Sequence, residues 1–157
     1  MKKTLAPRVD LESLPGHRIR RLHQIAVAIF LQETEPHGLT PVQYAALQSV
    51  ANEPGLDQRT LARSIGLDTS TVGGVVDRLE ARGLLTRNAS PSDRRVRLLT
   101  PTDAGHALLL AALASMLRAQ QRMLAPLHEP ERAEFLRLLD VLVKANNDLS
   151  RAPSEAA

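Results

Sequence analysis

The most constraining feature of the sequence is a pair of short helical segments, joined by a glycine turn and followed at once by a polar hairpin. Asp57 and Asp68 stand where helix N-caps are expected, because a side-chain oxygen there accepts a hydrogen bond from the first turn. Gly66 separates the two segments, and Gly83 ends the second one. In a helix-turn-helix, the second helix enters the DNA major groove while the first crosses the backbone. The order of elements therefore predicts a helix-turn-helix lobe.

Two runs with strand character, 84–87 and 96–99, follow this pair and enclose a polar tip. On both sides of the lobe, apolar residues recur at the spacing of longer amphipathic helices. The predicted fold class is mainly α with a small β-hairpin wing, a winged helix-turn-helix with helices before and after it.

The outward face of the second helix of the motif carries small and polar residues. Hydroxyl groups can bond phosphates or base edges, and arginine can pair with guanine through its planar guanidinium. Two glycines inside a helix cost roughly 1 kcal/mol each relative to alanine. They suit a close approach to DNA, and close packing against another helix is the alternative explanation. The candidate DNA contacts on this helix are Thr69, Ser70, Thr71, Gly73, Gly74 and Arg78.

The hairpin concentrates positive charge. Residues 87–97 hold four arginines and one aspartate, a net charge of +3, which equals the formal charge of the whole chain. An arginine at a wing tip can enter the minor groove, where a narrow groove strengthens the negative potential. Arg94 and Arg95 are therefore the candidate wing contacts, and Asp93 is expected to orient a neighbouring arginine. A solvated basic loop is the alternative.

Composition argues against several other classes. The chain has no cysteine, which excludes disulfides, thiolate metal sites and thiol catalysis. With two Phe, one Tyr and no Trp, it lacks the ring platforms that bind single strands by stacking. Its five histidines are scattered, without the spacing of a metal site. We expect no enzyme and no cofactor. Since no apolar stretch follows the basic N-terminus, we also expect no signal peptide and a cytoplasmic location.

With these elements in place, the sequence resembles the MarR family of bacterial winged-helix transcription regulators over roughly residues 15–149. It departs from the family pattern at Pro101, where leucine is usual, and at the two glycines of the recognition helix. The residues that carry the resemblance are Leu39 to Tyr44, Leu47, Leu61, Ala62, Thr71, Val72, Val76 to Leu85, Arg87, Ser90 to Arg95, Thr102 and Gly105.

The resemblance implies a homodimer whose N-terminal and C-terminal helices interlock, with two lobes that bind a pseudo-palindromic DNA operator. The leucine-rich last helices are compatible with a dimer, although an intramolecular core is the alternative. The chain then divides into an N-terminal arm and dimerisation helix (1–38), a DNA-binding lobe (39–101), C-terminal dimerisation helices (102–150) and a disordered tail (151–157).

The family commonly senses small, often aromatic, anionic ligands between the dimer helices and the lobe. Arg20 and His23 could bind a carboxylate, with Gln43 or Tyr44 bonding a ring substituent; surface roles are the alternative for the first two. The stretch 17–30 is similar to repressors of nicotinate-degradation genes, which implies a hydroxylated pyridine carboxylate such as 6-hydroxynicotinate. The expected function is a repressor released by such an acid. An activator and a sequence-neutral architectural DNA-binding protein are the alternatives.

Overall fold

The computed structural model describes residues 7–154 of the 157-residue chain. This part is mainly helical with one antiparallel hairpin, so the predicted fold class is confirmed. Short 3-10 turns flank three of the helices, at Leu11–Ser13, Glu35–His37 and Asn147–Leu149. The main elements are α1 (Pro15–Thr34), α2 (Pro41–Asn52), α3 (Gln58–Ser64), α4 (Thr69–Ala81), β1 (Leu85–Ala89), β2 (Arg97–Pro101), α5 (Asp103–Leu124) and α6 (Glu129–Asn146).

Side-chain caps determine where the helices of the lobe begin. Each capping oxygen satisfies a backbone N–H that the first helical turn leaves without an intrahelical partner. At α2 the arrangement is reciprocal, because the Gln43 side chain also accepts from the Thr40 backbone N–H. The caps accept from these N–H groups: Thr40 from Gln43, Asp57 from Thr60, Asp68 from Thr71, and Thr102 from Gly105.

Glycine is required at two places in the lobe for different reasons. Gly66 adopts φ +66°, a left-handed conformation that turns the chain between α3 and α4 and that other residues rarely adopt. Gly105, near the start of α5, lies so close to the lobe that a Cβ atom there would come within 2.1 Å of the Leu84 carbonyl oxygen. The lobe and α5 are therefore packed backbone against backbone at this point.

The wing is longer than the sequence predicts. The register pairs Leu85 with Pro101 and Ala89 with Arg97, so the strands continue past the predicted ends at 87 and 99. Asn88 and Ala89, at the start of the predicted tip, pair with Leu98 and Arg97 in the ladder, because a solvent-facing strand tolerates polar side chains, whereas residues 90–95 form the tip. The Gly55 backbone N–H also donates to the Leu99 carbonyl, and the Leu99 N–H donates to the Leu56 carbonyl, so the wing is fastened to the loop before α3.

The hydrophobic core lies inside the winged lobe, and α5 closes one side of it. α1 packs along α5, whereas α6 buries none of its residues within the described chain. The largest fully buried apolar side chains are Leu39, Leu47, Leu61, Leu79, Leu85, Leu99, Val50, Val72 and Val76.

The C-terminal segment differs from the disordered tail predicted for residues 151–157. In the structure it folds back after α6, and the Asn147 side chain and the Ser154 backbone exchange two hydrogen bonds of 2.9 Å. Composition does not predict these bonds, in which one amide side chain pairs with both the backbone N–H and the carbonyl of a residue seven positions later. The remaining part of that prediction, residues 155–157, lies outside the described residues, as do residues 1–6 of the predicted N-terminal arm.

Candidate DNA-binding interface

The recognition helix α4 separates cleanly into an inner and an outer face. Its inner face consists of Val72, Val75, Val76 and Leu79, all buried in the lobe. Five of the six candidate DNA contacts lie on or beside the outer face, and the sixth, Gly73, borders α3. The exposed residues of α4 and its cap include Asp68, Thr69, Ser70, Thr71, Asp77 and Arg78.

The two adjacent glycines of α4 have different surroundings. A Cβ atom on Gly73 would lie 3.1 Å from the Gln58 side-chain nitrogen, which itself donates to the Thr69 carbonyl. Gly73 therefore has a packing reason within the lobe. A Cβ atom on Gly74 would meet nothing within 4 Å in the described chain. Because packing does not require it, Gly74 is the glycine better explained by close approach to an external surface.

Thr71 is partly committed to the helix cap. Its hydroxyl donates to the Asp68 carboxylate over 2.6 Å, and its backbone N–H donates to the same group over 2.8 Å. These two bonds, the hydroxyl bond being the stronger influence, hold the pKa of Asp68 below its usual value. With its proton used in this way, the hydroxyl is left as an acceptor, so we expect Thr71 to face DNA chiefly through its methyl group.

Arg87 joins the wing to the recognition helix, a role that the sequence did not indicate. Its guanidinium donates to Glu80 over 2.6 and 3.0 Å and contacts Asp77 at 2.8 Å. The Arg87 hydrogen bond lowers the pKa of Glu80, and the pKa of Arg87 is correspondingly raised. The Arg87 guanidinium therefore offsets part of the negative charge that Glu80 and Asp77 place along this edge of α4. The sequence showed Arg87 only as one of several wing charges.

At the wing tip, Asp93 contacts Arg95 through three hydrogen bonds of 3.0 to 3.2 Å, one from the backbone N–H and two from the guanidinium. The side-chain bond is the main reason why the pKa of Asp93 is lowered. The Arg95 side chain is nevertheless 92% exposed, so it is held in one direction while remaining open to a ligand. Arg94 is also exposed.

The four residues predicted to bind an effector are not gathered around one cavity in the single chain. Arg20 donates to Gln24 within α1, and the Gln43 side-chain oxygen accepts from the Thr40 backbone N–H in the α2 cap. Tyr44 packs its ring edge-on against another aromatic ring at the core boundary, and burial raises its pKa. His23 alone of the four lines a cavity of about 150 Å³, between α1 and α5. The walls of that cavity are His23, Ala26, Val27, Phe30, Pro41, Ala119, Gln120 and Met123.

Within residues 7–154, no three His, Asp or Glu side chains are arranged to hold a metal ion. No helix in the same range is long and apolar enough to cross a membrane.

Comparisons with known proteins agree with this arrangement. The family model for the MarR family matches residues 39–96. The chain is 29% identical to the HTH-type transcriptional repressor NicR of Pseudomonas putida, over 94% of this chain and 98% of NicR. The structure superposes on PcaV of Streptomyces coelicolor, a transcriptional regulator solved with its natural ligand, at a TM-score of 0.80 and 38% identity, covering 89% and 99% of the two chains. It also superposes on BpsR of Bordetella bronchiseptica, whose DNA binding is regulated by 6-hydroxynicotinic acid, at a TM-score of 0.81 and 30% identity, covering 87% and 97%.

Proposed function

The chain belongs to the MarR family of transcription regulators, and from that premise we propose that it is a homodimeric repressor of a pseudo-palindromic operator, released by a small aromatic acid. The observation that carries the proposal is the shared placement of an exposed recognition helix and an exposed arginine wing, locked together by Arg87. Helix and wing are the parts that read the major and minor grooves. A repressor of this kind works in the cytoplasm, where bacterial DNA lies.

The proposed DNA contacts are divided between the two parts. Thr69, Ser70 and Arg78 face the major groove from α4, with Gly74 allowing the helix to come close. Arg94 and Arg95 reach from the wing toward the minor groove, and Asp93 orients Arg95. We assign Gly73 to the packing of α4 against α3, because a side chain there would meet Gln58.

A dimer is supported by apolar side chains that the single chain leaves in solvent. Leu138 and Leu142 on α6 are 46% and 53% exposed, and Ile19 and Ile25 on α1 are 59% and 45% exposed. Exposed apolar surface of this extent marks an interaction site. A two-fold dimer would also present two recognition helices about one DNA turn, roughly 34–36 Å, apart.

For the effector we propose a monocyclic aromatic carboxylate. NicR and BpsR are relatives, and BpsR responds to 6-hydroxynicotinic acid. His23 lines the α1–α5 cavity, and Arg20 lies one helical turn before it on α1. The cavity of about 150 Å³ is smaller than the usual range for ligand sites, so we expect the second subunit to complete it.

The test is a footprint on the DNA upstream of the protein's own gene, followed by titration of the protected duplex with wild type and Arg95→Ala. We expect a protected palindrome, and a strongly weakened variant that keeps the wild-type melting temperature. Uniform protection without a palindrome would instead identify an architectural DNA-binding protein, and wild-type affinity of Arg95→Ala would remove the wing from the interface.

The effector is tested on the same duplex. We expect 6-hydroxynicotinate to release it and to raise the melting temperature of the free protein, because a ligand of the folded state stabilises by about 2.7 kcal/mol at a hundredfold excess over its Kd. His23→Ala should lose both responses while still binding DNA. If none of a panel of aromatic acids has either effect, the proposed effector class is wrong.

A further inference from the structure

A cleft lies between the start of the recognition helix and the C-terminal segment of the same chain. It has a volume of about 630 Å³ and is open to solvent. Neither the helix-turn-helix nor the wing accounts for it. Its walls come from α3, α4 and the C-terminal segment, and are formed by Arg59, Ala62, Arg63, Leu67, Asp68, Thr69, Asn147, Arg151, Ala152, Pro153 and Ser154.

The C-terminal segment is held over the turn of the helix-turn-helix. Asn147 bonds both backbone groups of Ser154, and the Ala152 backbone N–H donates to the Ser150 hydroxyl over 3.1 Å. A Cβ atom on Gly66 would lie 3.6 Å from the Ser154 Cβ and 3.8 Å from the Ala152 carbonyl. The segment therefore follows the surface of the motif, and this path places Arg151 on the wall of the cleft.

Among the described residues that form the walls of the cleft, Arg59, Arg63 and Arg151 are basic and Asp68 is acidic, so these residues carry a net positive charge. The Asp68 carboxylate is occupied by the backbone N–H and the hydroxyl of Thr71, so it is directed into the helix cap. The cleft is thus suited to an anion with several oxygen acceptors, which arginine binds well through its fork of N–H donors.

A second cleft, of about 420 Å³, lies between the start of α3 and the wing. It is lined by Arg59, Arg95 and Arg97, together with the residues Asp57, Gln58 and Val96. Arg59 borders both clefts. The two clefts form a basic track that runs from the wing, past the first residue of the recognition helix, to the C-terminal segment.

We propose that this basic track binds consecutive phosphates of the DNA backbone, with Arg151 of the C-terminal segment as a phosphate ligand. The proposal rests on the proposed operator binding, since it needs DNA on the face that carries α4 and the wing. Contacts to phosphates fix the register of a protein on the duplex and carry no sequence information. The C-terminal segment would then be a third DNA contact, and its tie to Asn147 would connect α6 directly to the DNA backbone.

The proposal is tested with Arg151→Gln. Binding is titrated by fluorescence anisotropy on the footprinted duplex and on an unrelated duplex of equal length, from about 50 to about 200 mM salt. Each phosphate contact contributes about 0.9 to the slope of log K against log salt, so we expect the slope to fall by about 2 for a dimer. Affinity should fall by the same factor on both duplexes. Arg151→Lys should keep most of the slope, because it keeps the charge.

The control is Arg137→Gln, which removes the same charge from α6, where Arg137 pairs with Glu134. It should leave the slope unchanged. Arg95→Ala is measured alongside these variants. If Arg95→Ala binds like the wild type, operator binding through the wing is wrong. If Arg151→Gln keeps the wild-type slope, only the proposed role of the C-terminal segment is overturned. Melting temperatures of all variants in inorganic phosphate complete the test. If phosphate stabilises wild type but not Arg151→Gln, and the slope is unchanged, the cleft is a site for free anions and the proposal is overturned.

Discussion

The winged lobe and the last helix differ sharply in how much of their apolar surface the single chain buries. In the lobe, Leu47, Leu61 and Leu79 are fully buried, and the caps, the left-handed glycine and the hairpin ladder all agree with the same fold. On α6, Leu138 and Leu142 remain about half exposed and no residue is buried within the described chain. The core of the lobe is thus formed within one chain, whereas α6 keeps an apolar face exposed in the single chain.

Polar bonds join α1 to α5 and the recognition helix to the α1–α2 connection. Glu33 on α1 accepts hydrogen bonds from Arg122 and Arg118 on α5 at 2.8 and 3.0 Å, and these bonds lower the pKa of Glu33, with Arg122 as the main cause. In addition, the Arg82 guanidinium at the end of α4 donates to the carbonyls of His37 and Gly38. The recognition helix is thus linked to the α1–α2 connection by directional bonds, so a change in helix packing has a path to the DNA-binding face.

The largest expected effect comes from placing charge on the exposed face of α6. The double variant Leu138→Asp with Leu142→Asp should be monomeric by light scattering, because desolvating two unpaired carboxylates in an apolar interface is unfavourable. Operator affinity should fall by about a hundredfold or more, since the gain from linking two half-site contacts is lost. The lobe should keep its fold.

The matched control is Leu149→Asp, which introduces the same change at a leucine that is 83% exposed and lies beyond α6. It should remain dimeric. If the double variant also stays dimeric with wild-type affinity, the apolar face of α6 has a function other than self-association.

The next effect is in the lobe. Leu79→Ala should destabilise the fold by about 2–5 kcal/mol, because Leu79 is fully buried in a packed core and its removal leaves a cavity. This loss should not depend on protein concentration in denaturant titrations. Leu138→Ala on α6 should show the opposite pattern, with a melting temperature that rises with protein concentration, as expected where association stabilises the fold. Equal concentration dependence for both variants would erase the distinction between the regions.

Much of the lobe can be predicted from sequence because its signals are local. Asp57, Gly66 and Asp68 act within a few residues of themselves, so a cap or a turn can be recognised without knowing the fold. The hairpin was predicted too short, since the pairing of Ala89 with Arg97 depends on the register of the whole ladder.

The site was harder to predict where contacts are distant in sequence. Arg87 reaches back to Glu80 across the end of α4, and the C-terminal segment reaches Gly66 from the other end of the fold. Gln43 shows the same limit: the sequence offers it as a possible effector ligand, and the fold in addition uses its side-chain oxygen in a capping box with Thr40. Side chains with several possible partners are assigned by tertiary structure.

A smaller effect is expected where the end of α1 meets the winged lobe. Thr34 ends α1 and is fully buried, and its hydroxyl lies 2.8 Å from the Phe30 carbonyl and 3.0 Å from the Leu39 carbonyl. Thr34→Val keeps the shape and removes the hydroxyl donor that lies between these oxygens, which should cost about 1–3 kcal/mol of unfolding free energy. Thr34→Ser retains the hydroxyl and should preserve more of the stability. Chemical denaturation measures both, and equal losses would mean that the methyl group, not the hydrogen bond, matters at this junction.

The smallest expected effect comes from comparing two ion pairs, Arg87–Glu80 in the lobe and Arg137–Glu134 on α6. The Arg87 hydrogen bond lowers the pKa of Glu80 from its usual 4.5. The stabilisation is therefore present above about pH 4.5 and is lost as the pH falls through the lower folded-state pKa. Glu80→Gln should lower the melting temperature near neutral pH by a small amount, and the difference from wild type should shrink as the pH falls through the folded-state pKa of Glu80, below which Glu80 is protonated in both states. Glu134→Gln removes an exposed pair with Arg137 inside α6 and should change the melting temperature less, because that pair links residues three apart on one helix and brings no separate elements together. A larger acid-dependent change for Glu134→Gln than for Glu80→Gln would show that helix α6 depends on its surface charges, and that the contrast with the lobe is one of electrostatics as well as of apolar burial.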